Sequence, residues 1–446
     1  TTSALEAKVS LMEEAQGTKV PIQALADRVT SVFVPAVLGI AALVFTFWMV
    51  FPGTGHAIAL WARSFLPWVN PSLNHFSQAI YATVATLVIA CPGALGLATP
   101  TALMVASGLG ARNGILIRSG AALQTLKEVD TMVFDKTGTL TTGKPVVTDA
   151  VAVADNPGAL SVLASLEASS EHPVAAAIVR YAAEHETPLV PVHEVTALPG
   201  AGIEADVNGV RTFAGRPTDA QLEAAAPATR ELLTQLEEEG KTVAVLAQGE
   251  HILFVAAVSD TLKPTSIAAI RQLRDLGITP VMLTGDNART AQIIAGQAGI
   301  EQVHARVLPA GKLAVIRQLQ QEGHVVAMVG DGVNDAPALK QANVGIAIGS
   351  GTDIAIEAGD ITLVSGDLDS VVRAVRLSRA AFAKIRQNLF WAFFYNIIAI
   401  PVAALGLLHP VLAEIAMAAS SVNVVTNSLR LGRTPLGASS TRRHTS

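Results

Sequence analysis

Apolar residues cluster along this chain instead of alternating evenly with polar ones. Residues 31–52 (SVFVPAVLGIAALVFTFWMVFP) carry no ionisable side chain, and a stretch of that length is enough for one helical crossing of a bilayer. A short loop with His56 and Arg63 follows, and from Ser64 to Ala111 there is then no Asp, Glu, Lys or Arg. Its first part, FLPWVNPSLNHF, is rich in Pro, Asn and aromatic residues and reads as interfacial, while 79–108 reads as a second span. Residues 388–408 and 410–429 read as a third and a fourth. Arg28 precedes the first span, Arg112 and Arg118 follow the second, Lys384 and Arg386 precede the third, and Arg430 and Arg433 follow the fourth. Cations collect on the cytoplasmic side of membrane helices. Four spans therefore predict both termini and the large middle segment on that side. At the front, 4–16 reads as an amphipathic helix, and the tail ASSTRRHTS (438–446) as a disordered one.

Between Arg112 and Arg386 the pattern changes. Short β-branched runs alternate with Ala/Leu/Glu-rich helical stretches such as 222–239, as in α/β proteins. Three apolar runs end in polar loops: TMVFDKTGTLT (131–141), TPVMLTGDN (279–287) and HVVAMVGDGVND (324–335). Each reads as a buried parallel strand. Reactive groups in open α/β sheets gather beyond the carboxyl ends of the strands, which brings Asp135, Thr284, Asp331 and Asp335 together. The set suits phosphoryl transfer. Asp135 is a carboxylate nucleophile able to form an acyl-phosphate, and Asp331 and Asp335 offer hard oxygens for Mg²⁺. Thr137, Thr284 and Gly285 supply hydrogen-bond donors, and Lys312 in LPAGK is the cation set against the developing charge.

Together, DKTGTLT (135–141), TGDN (284–287) and GDGVND (330–335) resemble the phosphorylation domain of a P-type ATPase. The resemblance implies an α-helical membrane protein with cytoplasmic α/β domains. A haloacid-dehalogenase-like phosphorylation domain (113–146 and 256–380) would be interrupted by an inserted α+β nucleotide-binding domain (147–255). Residues 1–30 would form a cytoplasmic linker, 31–112 and 381–430 the paired spans, and 431–446 a cytoplasmic tail. It also implies phosphorylation of Asp135 by ATP. The catalytic set would be Asp135, Lys136, Thr137, Thr284, Gly285, Asp286, Lys312, Asn334 and Asp335, with Mg²⁺ on Asp135, Thr137 and Asp331. SSEHPVAAAIV (169–179) and LPGAGIEA (198–205) resemble the nucleotide-binding domain of the heavy-metal branch, which implies Glu171, His172, Gly200 and Gly202 around the adenine. FAGRP (213–217) departs from the family, which usually has Asn at the place of Arg216.

The only cysteine, Cys91, lies in IACPGALGLATP (89–100). Pro92 cannot donate a backbone hydrogen bond and unwinds the helix locally. Freed carbonyls at membrane depth survive only where protein buries them or a wet cavity receives them. Thiolate and thioether ligands favour Cu(I), whereas a lone membrane cysteine without partners is small apolar filler. Partners are present: NLFWAFFYN places Asn388, Tyr395 and Asn396 on the third span, and MAASS places Met417 and Ser421 one turn apart on the fourth. These features resemble the copper(I)-exporting ATPases. The resemblance implies a Cu⁺ pathway through Cys91, Tyr395, Asn396, Met417 and Ser421, with Asp27 at the cytoplasmic entrance and a copper chaperone as donor. Zinc and cadmium exporters usually carry a lysine and an aspartate in the last two spans, and 388–429 contains neither. The family's core motif is Cys-Pro-Cys; here it is Cys-Pro-Gly, and Gly93 removes one thiolate.

Composition narrows the function class further. The chain is 50% hydrophobic and 15% charged, against about a quarter charged in soluble domains. A formal charge of −5 gives no basic footprint for nucleic acid, and one cysteine excludes an internal disulfide. The Thr-Gly-Glu-Ser loop of the family, its preceding spans and actuator domain, and Cys-x-x-Cys modules do not occur within the 446 residues. The chain is therefore expected to be a partial, transport-incompetent form that binds ATP and phosphorylates Asp135. Its expected place is a bacterial plasma membrane, as a multi-pass protein. Two competing readings stand beside copper export. One is an exporter of another soft or divalent metal, favoured by the broken Cys-Pro-Cys. The other is a membrane-anchored phosphatase or nucleotide sensor that moves no ion.

Overall fold

The computed structural model describes residues 21–437 except 154–155, 171, 199–200, 287, 332 and 350–356; at 21–27, 309–310 and 333 only the backbone is described. The helix expected at 4–16, the tail from 438, Glu171, Gly200 and the side chain of Asp27 lie outside the described residues. The chain divides into two compact units.

One unit comprises residues up to 128, 360–364 and 373 onward. Among the described residues, three stretches are long and apolar enough to cross a membrane: Arg28–Val50, His75–Arg112 and Asp369–Ala404. The expected fourth span is a helix, Pro410–Arg430, of 21 residues, about 31 Å at 1.5 Å per residue. It is less apolar than the others because Ser420, Ser421, Asn423, Thr426, Asn427 and Ser428 fall in its second half. Several of these polar groups bind neighbouring helices. Asn388 Nδ2 donates to Ser428 Oγ (2.9 Å) and to the Ala98 carbonyl (3.3 Å), and Asn427 Nδ2 donates to Asn388 Oδ1 (2.8 Å). Such bonds join helices where apolar burial gives no preference between protein and lipid.

Pro92 breaks its helix as the sequence implies: one segment, His75–Ile89, ends and another, Gly93–Arg112, begins. The short stretch with His56 and Arg63, expected as a loop, lies instead in a helix, Pro52–Arg63. Pro52 stands in its first turn, where a missing N–H costs nothing. Gly55 permits the close packing that holds it, since a Cβ there would lie 2.6 Å from the Trp48 indole. After Gly93–Arg112, the strand Ile115–Ile117 pairs antiparallel with Ile361–Leu363, and the helix Gly120–Glu128 follows.

The other unit, 129–359 with 365–372, holds two sheets. Five parallel strands run in the order Val344–Ile348, Val326–Gly330, Thr131–Asp135, Thr279–Leu283 and Gln302–His304. Thr131–Asp135 is central and wholly buried. Val133, Val281, Leu283, Met328 and Ile316 form the core beneath it. The second sheet has six antiparallel strands, from Val146–Ala152 through His251–Ser259, Thr242–Gln248, Val210–Gly215 and Gly202–Val207 to His193–Leu198. Leu163, Leu166 and Ile178 of the helices Ala159–Glu167 and Pro173–Glu184 cover one face, and Leu233 and Leu236 of Pro227–Glu238 the other. The inserted sheet thus runs to Ser259, past the expected boundary at 255. The helix expected over 222–239 is two, Asp219–Ala224 and Pro227–Glu238, because Pro227 starts a helix more readily than it continues one.

Candidate functional site

Asp135 stands at the carboxyl end of the central parallel strand, 7% exposed. Lys312 Nζ lies 2.6 Å from Asp135 Oδ1 and 2.7 Å from Asp335 Oδ1, all three side chains buried. Carboxylate oxygens of Asp135, Asp331 and Asp335 fall within 4.8 Å of one another. Two glycines make this crowding possible. At Gly138 (φ +74°) a Cβ would sit 1.8 Å from Asp331 Oδ2, and at Gly330 2.6 Å from Asp335 Oδ2. Asp135, Gly138, Lys312, Asp331 and Asp335 line a cleft of about 640 Å³ together with Thr137, Thr284, Gly285, Asp286 and Asn334. Lys136 lines an adjoining cleft and pairs with Asp286 at 2.5 Å. The Thr284 hydroxyl accepts from the Asp286 N–H (3.1 Å), which closes the TGDN turn.

Burial, then the negative charge of Asp335, pushes the Asp135 carboxyl up to about 6 against the pull of Lys312. Burial raises Asp331 as well, with Asp335 adding to it. Burial opposes the charge on Lys312, but Asp135 and Asp335 outweigh it and its pKa rises. Asp135 and Asp335 share the Lys312 ammonium, while Lys263 and Lys312 both draw on Asp331; the cleft remains one suited to a further cation.

Two residues here escaped sequence reading. Asp260 accepts from Thr141 Oγ1 (2.5 Å), Thr142 Oγ1 (3.2 Å) and the Gly143 N–H (3.0 Å), pinning the loop after Asp135. Lys263 Nζ donates to the carbonyls of Gly138 and Gly366, and burial lowers its pKa. Their signal is DTLK (260–263), an acid and a base just after the last strand of the insert.

In the insert, His172 is the N-cap of Pro173–Glu184, its Nδ1 accepting from the Val174 N–H (3.2 Å) on an exposed ring. Gly202 faces Gly215 across two strands, and a Cβ at Gly202 would lie 2.2 Å from the Ala214 carbonyl oxygen. Glu167, which closes the apolar helix ALSVLASLE, was missed. It is 7% exposed, and burial pushes its carboxyl up to about 7.

In the helical unit, Cys91, Tyr395, Asn396 and Met417 line one small cavity at the Pro92 break. Ser421 is not among the lining residues; its hydroxyl donates to the Met417 carbonyl (3.3 Å), and Ser420 lines the cavity instead. Cys91 is free and exposed. A Cβ built on Gly93 meets nothing within 4 Å, so the position has room for the side chain it lacks.

Residues 129–343 match the haloacid dehalogenase-like hydrolase family. The chain is 48% identical over 437 residues to a copper-exporting P-type ATPase of Staphylococcus saprophyticus, covering 97% of this chain and 52% of that protein. It is 49% identical over 435 residues to a probable copper-exporting P-type ATPase V of Mycobacterium tuberculosis, covering 97% and 54%. It spans about half the length of these curated relatives. A crystal structure of a zinc-transporting PIB-type ATPase in its E2.Pi state superposes with a TM-score of 0.80 at 36% identity, covering 96% of this chain and 67% of that one. With the buried DKTGTLT aspartate and the Cys-Pro break on the same chain, the chain belongs to the P-type ATPases, in their heavy-metal, PIB-type branch.

Proposed function

We propose that this chain is the catalytic and ion-pathway part of a pump that moves copper(I) across a bacterial plasma membrane with the energy of ATP. The observation that carries the reading is Asp135, buried against Lys312 at 2.6 Å and crowded by Asp331 and Asp335. An Asp135 oxygen attacks the γ-phosphorus of ATP; the new O–P bond forms as the bond to the β-phosphate oxygen breaks, and ADP leaves with that electron pair. Thr284, Gly285 and Thr137 face the transferred group, and Lys312 offsets its charge. The three-carboxylate donor set fits a small hard cation; Asp135 and Asp331, with Thr137 beside them, would hold Mg²⁺, which when bound neutralises phosphate charge. Lys136 and Asp286 hold the two motif loops together, and Asn334 and Asp335 border the same cleft.

In the insert, His172 leaves Nε2 open for the base, and the Gly202–Gly215 pair offers bare backbone. Glu171 and Gly200 belong to this reading by motif alone. The cargo is copper(I), held by the Cys91 sulfur with Met417, and with Tyr395, Asn396 and Ser420 as neighbours. The chaperone donor and Asp27 as receiving acid are carried over from the family resemblance. A second reading, another soft or divalent metal, is favoured by Gly93 and by the zinc-transporting protein that shares the fold.

The test is phosphoenzyme formation from labelled ATP across a metal series. Copper(I) is expected to raise the phosphoenzyme level, and Cys91→Ala to remove that response while leaving metal-free labelling. Stimulation by zinc alone assigns the cargo otherwise, and labelling indifferent to every metal and to Cys91→Ala favours a sensor that moves no ion.

A further inference from the structure

Lys263 joins two loops that the phosphoryl chemistry does not by itself connect. Its ammonium donates to the Gly138 carbonyl, in the loop that follows Asp135, and to the Gly366 carbonyl at 2.8 Å. Gly366 lies in 365–372, the short stretch that stays with the phosphorylation unit at the head of the helix Asp369–Ala404. Thr265, two residues on from Lys263, grips this stretch a second time: its Oγ1 donates to Asp367 Oδ1, which also accepts from the Asp369 N–H at 3.3 Å. Gly366 is also packed closely by Gly349 (φ +61°), where a Cβ would lie 3.0 Å from the Gly366 Cα. An ammonium has three donors. Two are spent on carbonyls, and Lys263 lines the Asp135 cleft with Asp331.

We infer that Lys263 is a positioning residue that senses the charge of the phosphoryl pocket and transmits it to Gly366–Asp367, at the start of the helix that carries Tyr395 and Asn396. This rests on the reading of Asp135 as phosphoryl acceptor. A phosphoryl group brings anionic oxygens into the cleft, and a charge-assisted bond to one of them outcompetes a bond to water. The third donor is then engaged and the ammonium pinned, so the bonds to Gly138 and Gly366 tighten together and 365–372 loses freedom. The coupling is reciprocal: what loosens Gly366 also loosens the loop around Asp135.

The experiment is amide hydrogen exchange on the 446-residue chain, with and without Mg²⁺ and beryllium fluoride as phosphoryl mimic. Exchange across 365–372 is expected to slow about 3- to 10-fold on adding the mimic, the scale of one hydrogen bond. In Lys263→Met it is fast and unresponsive, and Lys263→Arg restores the response. Thr265→Val, which loses only the second grip, keeps a mimic-dependent slowing and controls for local packing. Block of ATP labelling by the mimic is followed in parallel. No block overturns the reading of Asp135, and the inference with it. A block with flat exchange in the parent chain, or an undiminished response in Lys263→Met, overturns the role of Lys263 alone.

Discussion

The phosphorylation cleft and the Cys91 cavity are built on opposite plans. Around Asp135, charge is concentrated until backbone has to yield: Gly138 and Gly330 exist as glycines because any Cβ would collide with Asp331 or Asp335. Around Cys91, one sulfur side chain faces Met417 and a few neutral polar groups, and Gly93 opens onto empty space. A site for hard oxyanion chemistry needs several charges held against their mutual repulsion. A soft ion needs few ligands and must be released, so weak coordination is compatible with transport. Glycine is obligatory in the first place and a vacancy in the second.

That contrast gives measurements of decreasing size. Asp135→Asn should lower phosphoenzyme by at least ~10³-fold, since an amide cannot act as the nucleophile; acid-quenched labelling measures it. Gly138→Ala should cost about 1–3 kcal/mol of stability and roughly 100-fold in labelling, from the left-handed backbone and the collision with Asp331. Gly93→Ala should do neither, and equal damage from the two would erase the contrast. Glu167→Gln tests the insert. The native carboxyl is raised from its ordinary value to about 7, so the folded chain binds the proton more tightly than the unfolded one. Its stability is full below the unfolded pKa and falls as pH rises toward 7. The glutamine variant should match the parent near pH 4 and exceed it by up to about 3 kcal/mol at pH 8, read by thermal unfolding at both. Gly93→Cys should tighten copper(I) binding by roughly 10- to 100-fold, or about 1.4–2.8 kcal/mol; unchanged affinity in a competition titration removes the missing-ligand argument. Ser420→Ala should weaken binding by about 3-fold, within one hydrogen bond's worth, and Ser421→Ala less.

What could be read from the sequence differed in the same way between the regions. DKTGTLT, TGDN and GDGVND each follow an apolar run that reads as a buried parallel strand, so the rule of carboxyl ends was enough to gather Asp135, Thr284, Asp331 and Asp335. Lys263 and Asp260 were not legible because their role depends on a closure across 114 residues, Val146 pairing with Ser259, that brings DTLK back beside the Asp135 loop. The Ser420/Ser421 choice depends on helix rotation, where one residue turns a side chain by about 100°; spacing from Met417 favoured Ser421, and the neighbouring helices select Ser420. The stretch around His56 and Arg63 reads as a loop because it interrupts the apolar run, whereas packing of the Trp48 indole on Gly55 fastens it as a helix. Glu167 was passed over because an acid ending an apolar helix looks like a solvated terminus until its burial is seen.

The central claim is an acyl-phosphate on one named carboxyl. Borohydride reduction of the ATP-treated, acid-quenched chain converts an aspartyl-phosphate to homoserine, and peptide mass spectrometry locates it. The account predicts homoserine at position 135 in the peptide containing VFDKTGTLTTGK, dependent on Mg²⁺ and lost in Asp135→Asn. Homoserine at another acid, or none in a chain that binds ATP, contradicts it.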